Sequence, residues 1–117
     1  MTFFRLDFKL IFYAALFHFF STAVYAANDD AKAHTIAKQN ACLGCHAINK
    51  KVVGPSFQDV AKKYANNAEA NRFLKSKILK GGSGSWGVVP MPGNSKLNDE
   101  DLSLMVSWIL RGAPSNN

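Results

Sequence analysis

Apolar positions recur at helical spacing in four segments of the chain. These segments cover residues 29–41, 56–65, 67–80 and 98–110. Apolar residues at i, i+3, i+4 and i+7 form one face of a helix, whereas the period-2 alternation that is typical of a strand is almost absent. The pattern therefore predicts an all-α domain of about four helices.

Local signals indicate where these helices begin and what they bury. Asp29 and Asp30 are favourable at the positive end of the first helix, and Asn98 is a suitable N-cap for the last. Gly54 and Pro55 break the chain before the second helix. We expect the last helix to pack on the first. The apolar stripe of the third helix predicts a buried side composed of Ala70, Phe73, Leu74, Lys77 and Ile78.

Residues 1–26 have the pattern of an export signal. Arg5 and Lys9 precede an uncharged apolar run, and small residues such as Ala26 stand before a potential cleavage site. We expect cleavage after Ala26, which leaves a mature domain of residues 27–117. An uncleaved membrane anchor is the alternative, because no charge follows Lys9 for 19 residues and about 18–20 apolar residues span a bilayer.

The predicted mature domain is small and basic. It has twelve Lys and Arg side chains against seven Asp and Glu, within a chain of net charge +6. A domain of this size buries only about 60–70% of the surface of its unfolded chain, so a buried cofactor would supplement its core. Nucleic-acid binding is a poor explanation of the charge, because no arginine cluster interleaved with aromatics is present. A lysine-rich face that steers the protein toward acidic partners explains the charge better.

The sequence C-x-x-C-H at positions 42–46 is the strongest chemical signal. Cys42 and Cys45 are the only cysteines, and His46 follows the second directly. This spacing is typical of a covalently attached c-type haem, in which both thiols bond the haem and the histidine binds the iron. A zinc site, a thioredoxin-like pair and a structural disulfide each need further features that the chain lacks. One haem c is therefore the expected cofactor, and its attachment in bacteria occurs outside the cytoplasmic membrane.

Met91 is the candidate for the second axial ligand of the iron. It lies in the loop 81–96, which contains four glycines before Val88 and a proline on each side of the methionine. The prolines restrict the backbone before metal binding, so little conformational entropy is lost when the sulfur meets the iron. Met105 lies on the apolar face of the last helix and is expected in the core. His34 is more typical of a surface histidine than of a competing ligand.

Five elements occur in order along the chain. They are the motif at 42–46, the pair Gly54 and Pro55, the pair Trp86 and Gly87, the run 90–94, and a last helix that contains Trp108. Together they resemble a small class I monohaem bacterial cytochrome c of the c-551 or c8 type. The resemblance implies a small cytochrome c fold, with about four helices wrapped around one covalently bound haem.

The resemblance also implies roles for four residues around the haem. Pro55 would accept a hydrogen bond from the ring N–H of the axial histidine. Trp86 would hydrogen-bond a propionate, and Asn94 would orient the methionine sulfur. Lys77 stands where some relatives carry a propionate-binding arginine, and it would take that role only weakly because it lacks the planar guanidinium fork.

A haem that is closed by His46 and Met91 has no open coordination position, so we expect one-electron transfer rather than catalysis. The resemblance implies a quinol:cytochrome c oxidoreductase of the bc1 type, or another cytochrome, as electron donor. It implies a terminal oxidase, a nitrite reductase or a dihaem peroxidase as acceptor. We expect a periplasmic monomer that meets the membrane only if the leader is retained. Two alternatives stay open: a membrane-tethered cytochrome subunit of an oxidase or reductase, and an open-site haem enzyme or gas sensor.

Overall fold

The computed structural model describes residues 21–115, with side chains from residue 28 onward. Its four helices are α1 (Ser21–Gln39), α2 (Phe57–Tyr64), α3 (Ala70–Lys80) and α4 (Asp99–Leu110), and a short 3-10 turn at Cys42–Gly44 follows α1. Within the described residues, β-type pairing is limited to two isolated bridges, His46 with Lys51 and Gly82 with Met91. The predicted all-α class is confirmed.

Helix α1 differs from its prediction at the N-terminal end. It spans Ser21–Gln39, so Asp29 and Asp30 lie inside the helix and the predicted start at residue 29 is wrong. Asp30 is buried and pairs with Arg111. Its carboxylate therefore serves this ion pair rather than the N-terminus of a helix. Residues 1–20, which hold most of the predicted leader, lie outside the described residues. The expected apolar stripe of α1 is buried at Ala33, Ile36 and Ala37.

Helix α2 begins at a well-formed N-cap. Ser56 Oγ accepts a hydrogen bond from the Asp59 backbone N–H at 3.0 Å, which satisfies one of the unpaired donors in the first turn. Phe57 and Val60 are buried on the inner face of the helix. The observed ends agree with the predicted segment 56–65 to within one residue.

Helix α3 is shorter than predicted, and its buried face is narrower. It begins at Ala70 rather than at residue 67, and its buried side chains recur at every fourth position, at Ala70, Leu74 and Ile78. Phe73 is 39% exposed and packs against the Tyr64 ring, with the centroids 5.4 Å apart. The predicted burial of Phe73 is therefore wrong, because α3 presents a single i, i+4 row to the core. Lys77, predicted on the same side, is partly buried.

Helix α4 forms the centre of the fold and contacts each of the other three helices. Asn98 caps it as predicted, since Asn98 Oδ1 accepts a hydrogen bond from the Asp101 N–H at 2.8 Å. Met105 is 1% exposed, which confirms its prediction as a core residue. The buried side chains of α4 are Leu102, Met105, Val106, Trp108 and Ile109.

Helices α1 and α4 pack together as expected, and charged pairs link α1 to both ends of α4. Lys32 Nζ lies 2.9 Å from a Glu100 carboxylate oxygen in the first turn of α4. Asp30 pairs with Arg111 just beyond the last turn. No helix between residues 21 and 115 combines the length and the apolarity needed to cross a bilayer. The helical frame leaves two loops, after α1 and after α3, to form the site.

Candidate cofactor site

The end of α1 turns directly into the C-x-x-C-H motif. Ala41 adopts a left-handed conformation with a φ of 58°, and Cys42 begins the 3-10 turn. The His46 N–H donates to the Cys42 carbonyl at 3.0 Å. Cys42 and Cys45 are free thiols and are both partly buried. One short turn thus presents two thiols and an imidazole.

Backbone hydrogen bonds return the following loop to the motif. The Val53 and Gly54 N–H groups both donate to the Cys45 carbonyl, at 3.2 Å and 2.8 Å. The Phe57 N–H donates to the Ala47 carbonyl at 2.9 Å. These bonds place the segment before α2 against the imidazole of the motif.

Three neighbours hold the imidazole of His46. Its Nδ1 lies 2.7 Å from the Pro55 carbonyl oxygen. Because a carbonyl only accepts, Nδ1 carries the hydrogen and Nε2 keeps an available lone pair. The ring stacks on Phe57, with centroids 5.3 Å apart and planes 13° from parallel. On the remaining side, a Cβ at Gly54 would lie 2.8 Å from Nδ1, so only glycine fits against the ring.

Met91 is held in its loop by a reciprocal backbone pair with Gly82. The Gly82 N–H donates to the Met91 carbonyl at 2.9 Å, and the Met91 N–H donates to the Gly82 carbonyl at 3.0 Å. Gly93 permits close approach to α3, because a Cβ there would lie 2.7 Å from a backbone oxygen of that helix. Met91 and Cys42 are both partly buried against the same hydrophobic core. The loop and the motif therefore border one region of the protein.

Asn94 connects the methionine loop to two helices. Its backbone N–H donates to the Ile78 carbonyl of α3 at 2.8 Å. Its side-chain Nδ2 donates to Asn40 Oδ1 at 2.8 Å. Asn40 lies at the end of α1, just before Cys42, so this contact ties the loop to the segment that carries the thiols.

Trp86 and Lys77 have different neighbours along the same loop. Lys63 Nζ lies 4.3 Å from the centroid of the Trp86 ring and donates to the Ser85 carbonyl at 2.5 Å. Lys77 Nζ lies beside Gly82. The contacts of Trp86 and Lys77 with haem propionates stay predictions.

Four residues of this region had no predicted role at the site, namely Asn40, Gly54, Phe57 and Lys63. Their sequence patterns indicate apolar helix faces, a helix break and a basic surface, and of these only the helix break bears on the motif. Gly54 alone offered a usable signal, because it stands directly before Pro55, where the chain must come close to the imidazole.

The donor set fits a covalently attached haem. Cys42 and Cys45 would form the two thioether bonds. Burial raises the pKa of the Cys42 thiol, and the nearby Cys45 adds to this rise, so the thiol keeps its proton at neutral pH. The imidazole of His46 and the thioether of Met91 would supply one nitrogen and one sulfur ligand from the two loops.

Comparison with known proteins finds a family model and relatives that match this chain. The family model described as cytochrome c matches residues 31–113. Cytochrome c-552 of Nitrosomonas europaea is 45% identical over 75 residues, which cover 64% of this chain and 73% of the relative. Cytochrome c-552 of Hydrogenobacter thermophilus is 48% identical over 75 residues, which cover 64% of this chain and 76% of the relative.

A solved structure gives the same result at the level of the fold. The crystal structure of wild-type Nitrosomonas europaea cytochrome c552 matches with a TM-score of 0.65 and 43% sequence identity, covering 68% of this chain and 98% of that chain. The predicted small cytochrome c fold is therefore confirmed. Members of the family carry one covalently attached haem c, and these homologues are small electron-transfer proteins rather than enzymes. The chain belongs to the cytochrome c family and is an electron carrier.

Proposed function

We propose that this chain is a periplasmic carrier of single electrons whose haem iron is bound by His46 and Met91. The observation that carries the proposal is the fixed imidazole of His46, whose Nδ1 donates to Pro55 and whose Nε2 remains available as a ligand. When bound, haem c supplies an iron that alternates between the ferrous and ferric states. Cys42 and Cys45 would anchor it covalently beside this imidazole.

The surroundings of His46 suit fast electron transfer. The hydrogen bond to Pro55 fixes the tautomer of the imidazole and makes it a stronger ligand. The stacked Phe57 ring and the close Gly54 backbone restrict rotation of the imidazole. A ligand that keeps one orientation adds little reorganisation when the oxidation state changes.

The loop of Met91 suits a second, permanent ligand. A thioether is a weak neutral ligand that raises the reduction potential. The pairing with Gly82 and the anchored Asn94 backbone hold the loop, so the sulfur needs little further ordering. Asn94 would orient the sulfur, while Trp86 and Lys77 would face the propionates. With His46 and Met91 both bound, the iron would have no open position for a substrate, which favours electron transfer over an open-site enzyme or gas sensor.

Exposed valines and lysines form a suitable docking surface for redox partners. Val88 is 90% exposed and Val89 62% exposed in the methionine loop, and Val52 is 49% exposed in the loop after the motif. Lys50 and Lys51 are exposed beside Val52. Transient redox complexes need only a small apolar contact, which these valines would supply. The lysines would steer an acidic partner toward them. Electron transfer should therefore slow as salt screens this attraction, which stopped-flow measurements across a salt series would detect.

The proposed partners follow from the family and from export. A quinol:cytochrome c oxidoreductase of the bc1 type would donate the electron, and a terminal oxidase, nitrite reductase or dihaem peroxidase would accept it. The predicted leader of residues 1–26 supports a periplasmic location for a monomeric mature domain. N-terminal sequencing of the native protein tests this location: a start at Ala27 supports it, and an intact leader would favour the membrane-tethered alternative.

Separate substitutions of Met91 and Met105 test the ligation. Met91→Ala should lower the reduction potential, abolish the weak near-red band of sulfur ligation to ferric iron, and let carbon monoxide bind the reduced protein. Met105→Leu is the control, because Met105 is 1% exposed in the core and the change nearly conserves its volume. The control should leave the absorption spectrum nearly unchanged. The opposite pattern would contradict the assignment of Met91.

A further inference from the structure

A pair of asparagine side chains joins the two loops of the site. Asn94 Nδ2 donates to Asn40 Oδ1 at 2.8 Å, across 54 positions of sequence. Asn40 directly precedes the left-handed Ala41 and the thiol of Cys42, while Asn94 follows Met91 in the same loop. Both side chains are partly buried, so water competes weakly for this hydrogen bond.

The groups at the two ends of the pair fix its direction. Asn40 Nδ2 donates to the Ile36 carbonyl at 2.9 Å, so Asn40 Oδ1 must point toward Asn94. Asn94 Oδ1 accepts a hydrogen bond from the Lys96 N–H at 3.3 Å, so Asn94 Nδ2 must point toward Asn40. Turning either amide over would place oxygen against oxygen or nitrogen against nitrogen. Only one orientation of both side chains satisfies all three bonds.

This orientation has a consequence for the methionine sulfur. The amide nitrogen of Asn94 carries two hydrogens, of which Asn40 binds one. The other hydrogen remains for a weak acceptor such as a thioether. We propose that Asn40 is a positioning residue for the axial methionine, because it holds the Asn94 amide so that the second N–H serves Met91. This inference rests on the proposed ligation of iron by Met91.

Competition with imidazole measures how firmly Met91 is held. Imidazole in solution binds ferric haem iron only when the methionine leaves, so its apparent affinity rises when the methionine is held less well. One net hydrogen bond corresponds to about two- to tenfold in an equilibrium constant. We therefore expect Asn40→Ala to raise the affinity of the ferric haem-loaded protein for imidazole about two- to tenfold and to shift its near-red band.

Two further variants separate positioning from a general effect on α1. Thr35→Ala removes a comparable bond within the same helix, from Thr35 Oγ1 to the Ala31 carbonyl at 2.9 Å, and should leave the imidazole affinity unchanged. Asn40→Asp loses the bond to the Ile36 carbonyl but keeps an oxygen that accepts from Asn94, so its imidazole affinity should lie closer to the wild-type value than to that of Asn40→Ala. If the imidazole affinity of Asn40→Asp returns toward the wild-type value, the bond to Asn94 sets this affinity. A helix end that is merely destabilised would not give such a return.

The double variant decides whether Asn40 acts through Asn94. Asn94→Ala should raise the imidazole affinity by itself, and adding Asn40→Ala should produce no further increase. If the two substitutions instead raise the imidazole affinity by independent factors that multiply in the double variant, the inference is wrong. It is also wrong if Asn40→Ala leaves the imidazole affinity unchanged while Met91→Ala raises it. If Met91→Ala itself leaves the imidazole affinity unchanged, the proposed ligation fails and this inference fails with it.

Discussion

Gly54→Ala would place a methyl group against the imidazole of His46. The added Cβ would lie within 3.0 Å of three ring atoms, whereas carbon atoms in contact are normally about 3.5–4.0 Å apart. The ring must therefore move by roughly 1 Å, since the Cβ is fixed by the backbone. It cannot move freely, because Phe57 is stacked on it with centroids 5.3 Å apart.

The displacement has a structural and an electronic consequence. Overpacking of this kind costs about 1–3 kcal/mol of unfolding free energy. Where the ring is pushed away from Pro55, a shift of roughly 1 Å also takes Nδ1 out of hydrogen-bond range of the Pro55 oxygen, which is now 2.7 Å away. Loss of that bond makes the imidazole a poorer electron donor to the iron, which destabilises the ferric state. The reduction potential should rise by up to about 60 mV, the equivalent of tenfold for one electron.

Gly44→Ala is the matched control. It makes the same substitution inside the motif, but a Cβ at Gly44 meets no atom within 4 Å. It should leave the reduction potential unchanged and stabilise the fold by about 0.4–1 kcal/mol through the unfolded chain. Denaturant unfolding and a redox titration of both haem-loaded variants provide the measurements. Equal effects of Gly44→Ala and Gly54→Ala on both quantities would refute the argument that close packing at Gly54 fixes the ligand.

Two further predictions concern the backbone turn before the motif and the loop that carries the methionine. Ala41 has a φ of 58° and is exposed, so Ala41→Gly should raise the unfolding free energy by about 0.5–1 kcal/mol. Ala113→Gly should raise it less, because Ala113 has a φ of 51° but the substitution removes a fully buried methyl group worth about 0.8 kcal/mol. Equal increases for both variants in denaturant unfolding would contradict this reasoning. Lys63→Met should lower the unfolding free energy by about 1 kcal/mol and speed amide exchange around Trp86, since it removes a cation–π contact and a hydrogen bond. Lys62→Met replaces a lysine that is 78% exposed and should change neither quantity. Similar exchange in both variants would contradict a role of Lys63 in holding Trp86 and Ser85.

Helix ends were predictable where a side chain caps its own helix. Ser56 and Asn98 each bond a backbone N–H three residues ahead, so the capping signal and the structure involve the same short segment. Asp30 carries the same kind of signal, but its carboxylate pairs with Arg111 at the far end of the chain. Phe73 satisfies the apolar period of α3 and still remains exposed, because the position of α4 decides which row of α3 is buried. Periodicity therefore identifies helices better than it identifies their buried side chains.

The two ligand residues, His46 and Met91, differ in how far along the chain their surrounding contacts reach. The surroundings of His46 come from Gly54, Pro55 and Phe57, which all follow it within eleven positions, so a short pattern contains them. The surroundings of Met91 depend on bonds that cross from its loop to α3 and to the end of α1, including the pair of Asn94 with Asn40 across 54 positions. No local pattern contains such a pair, so the sequence identified Met91 as a candidate ligand without indicating the long-range bonds that hold its loop. Proline on either side of Met91 stiffens the loop locally, but the long-range bonds must choose its position, because closing a long loop is entropically unfavourable until contacts elsewhere offset it.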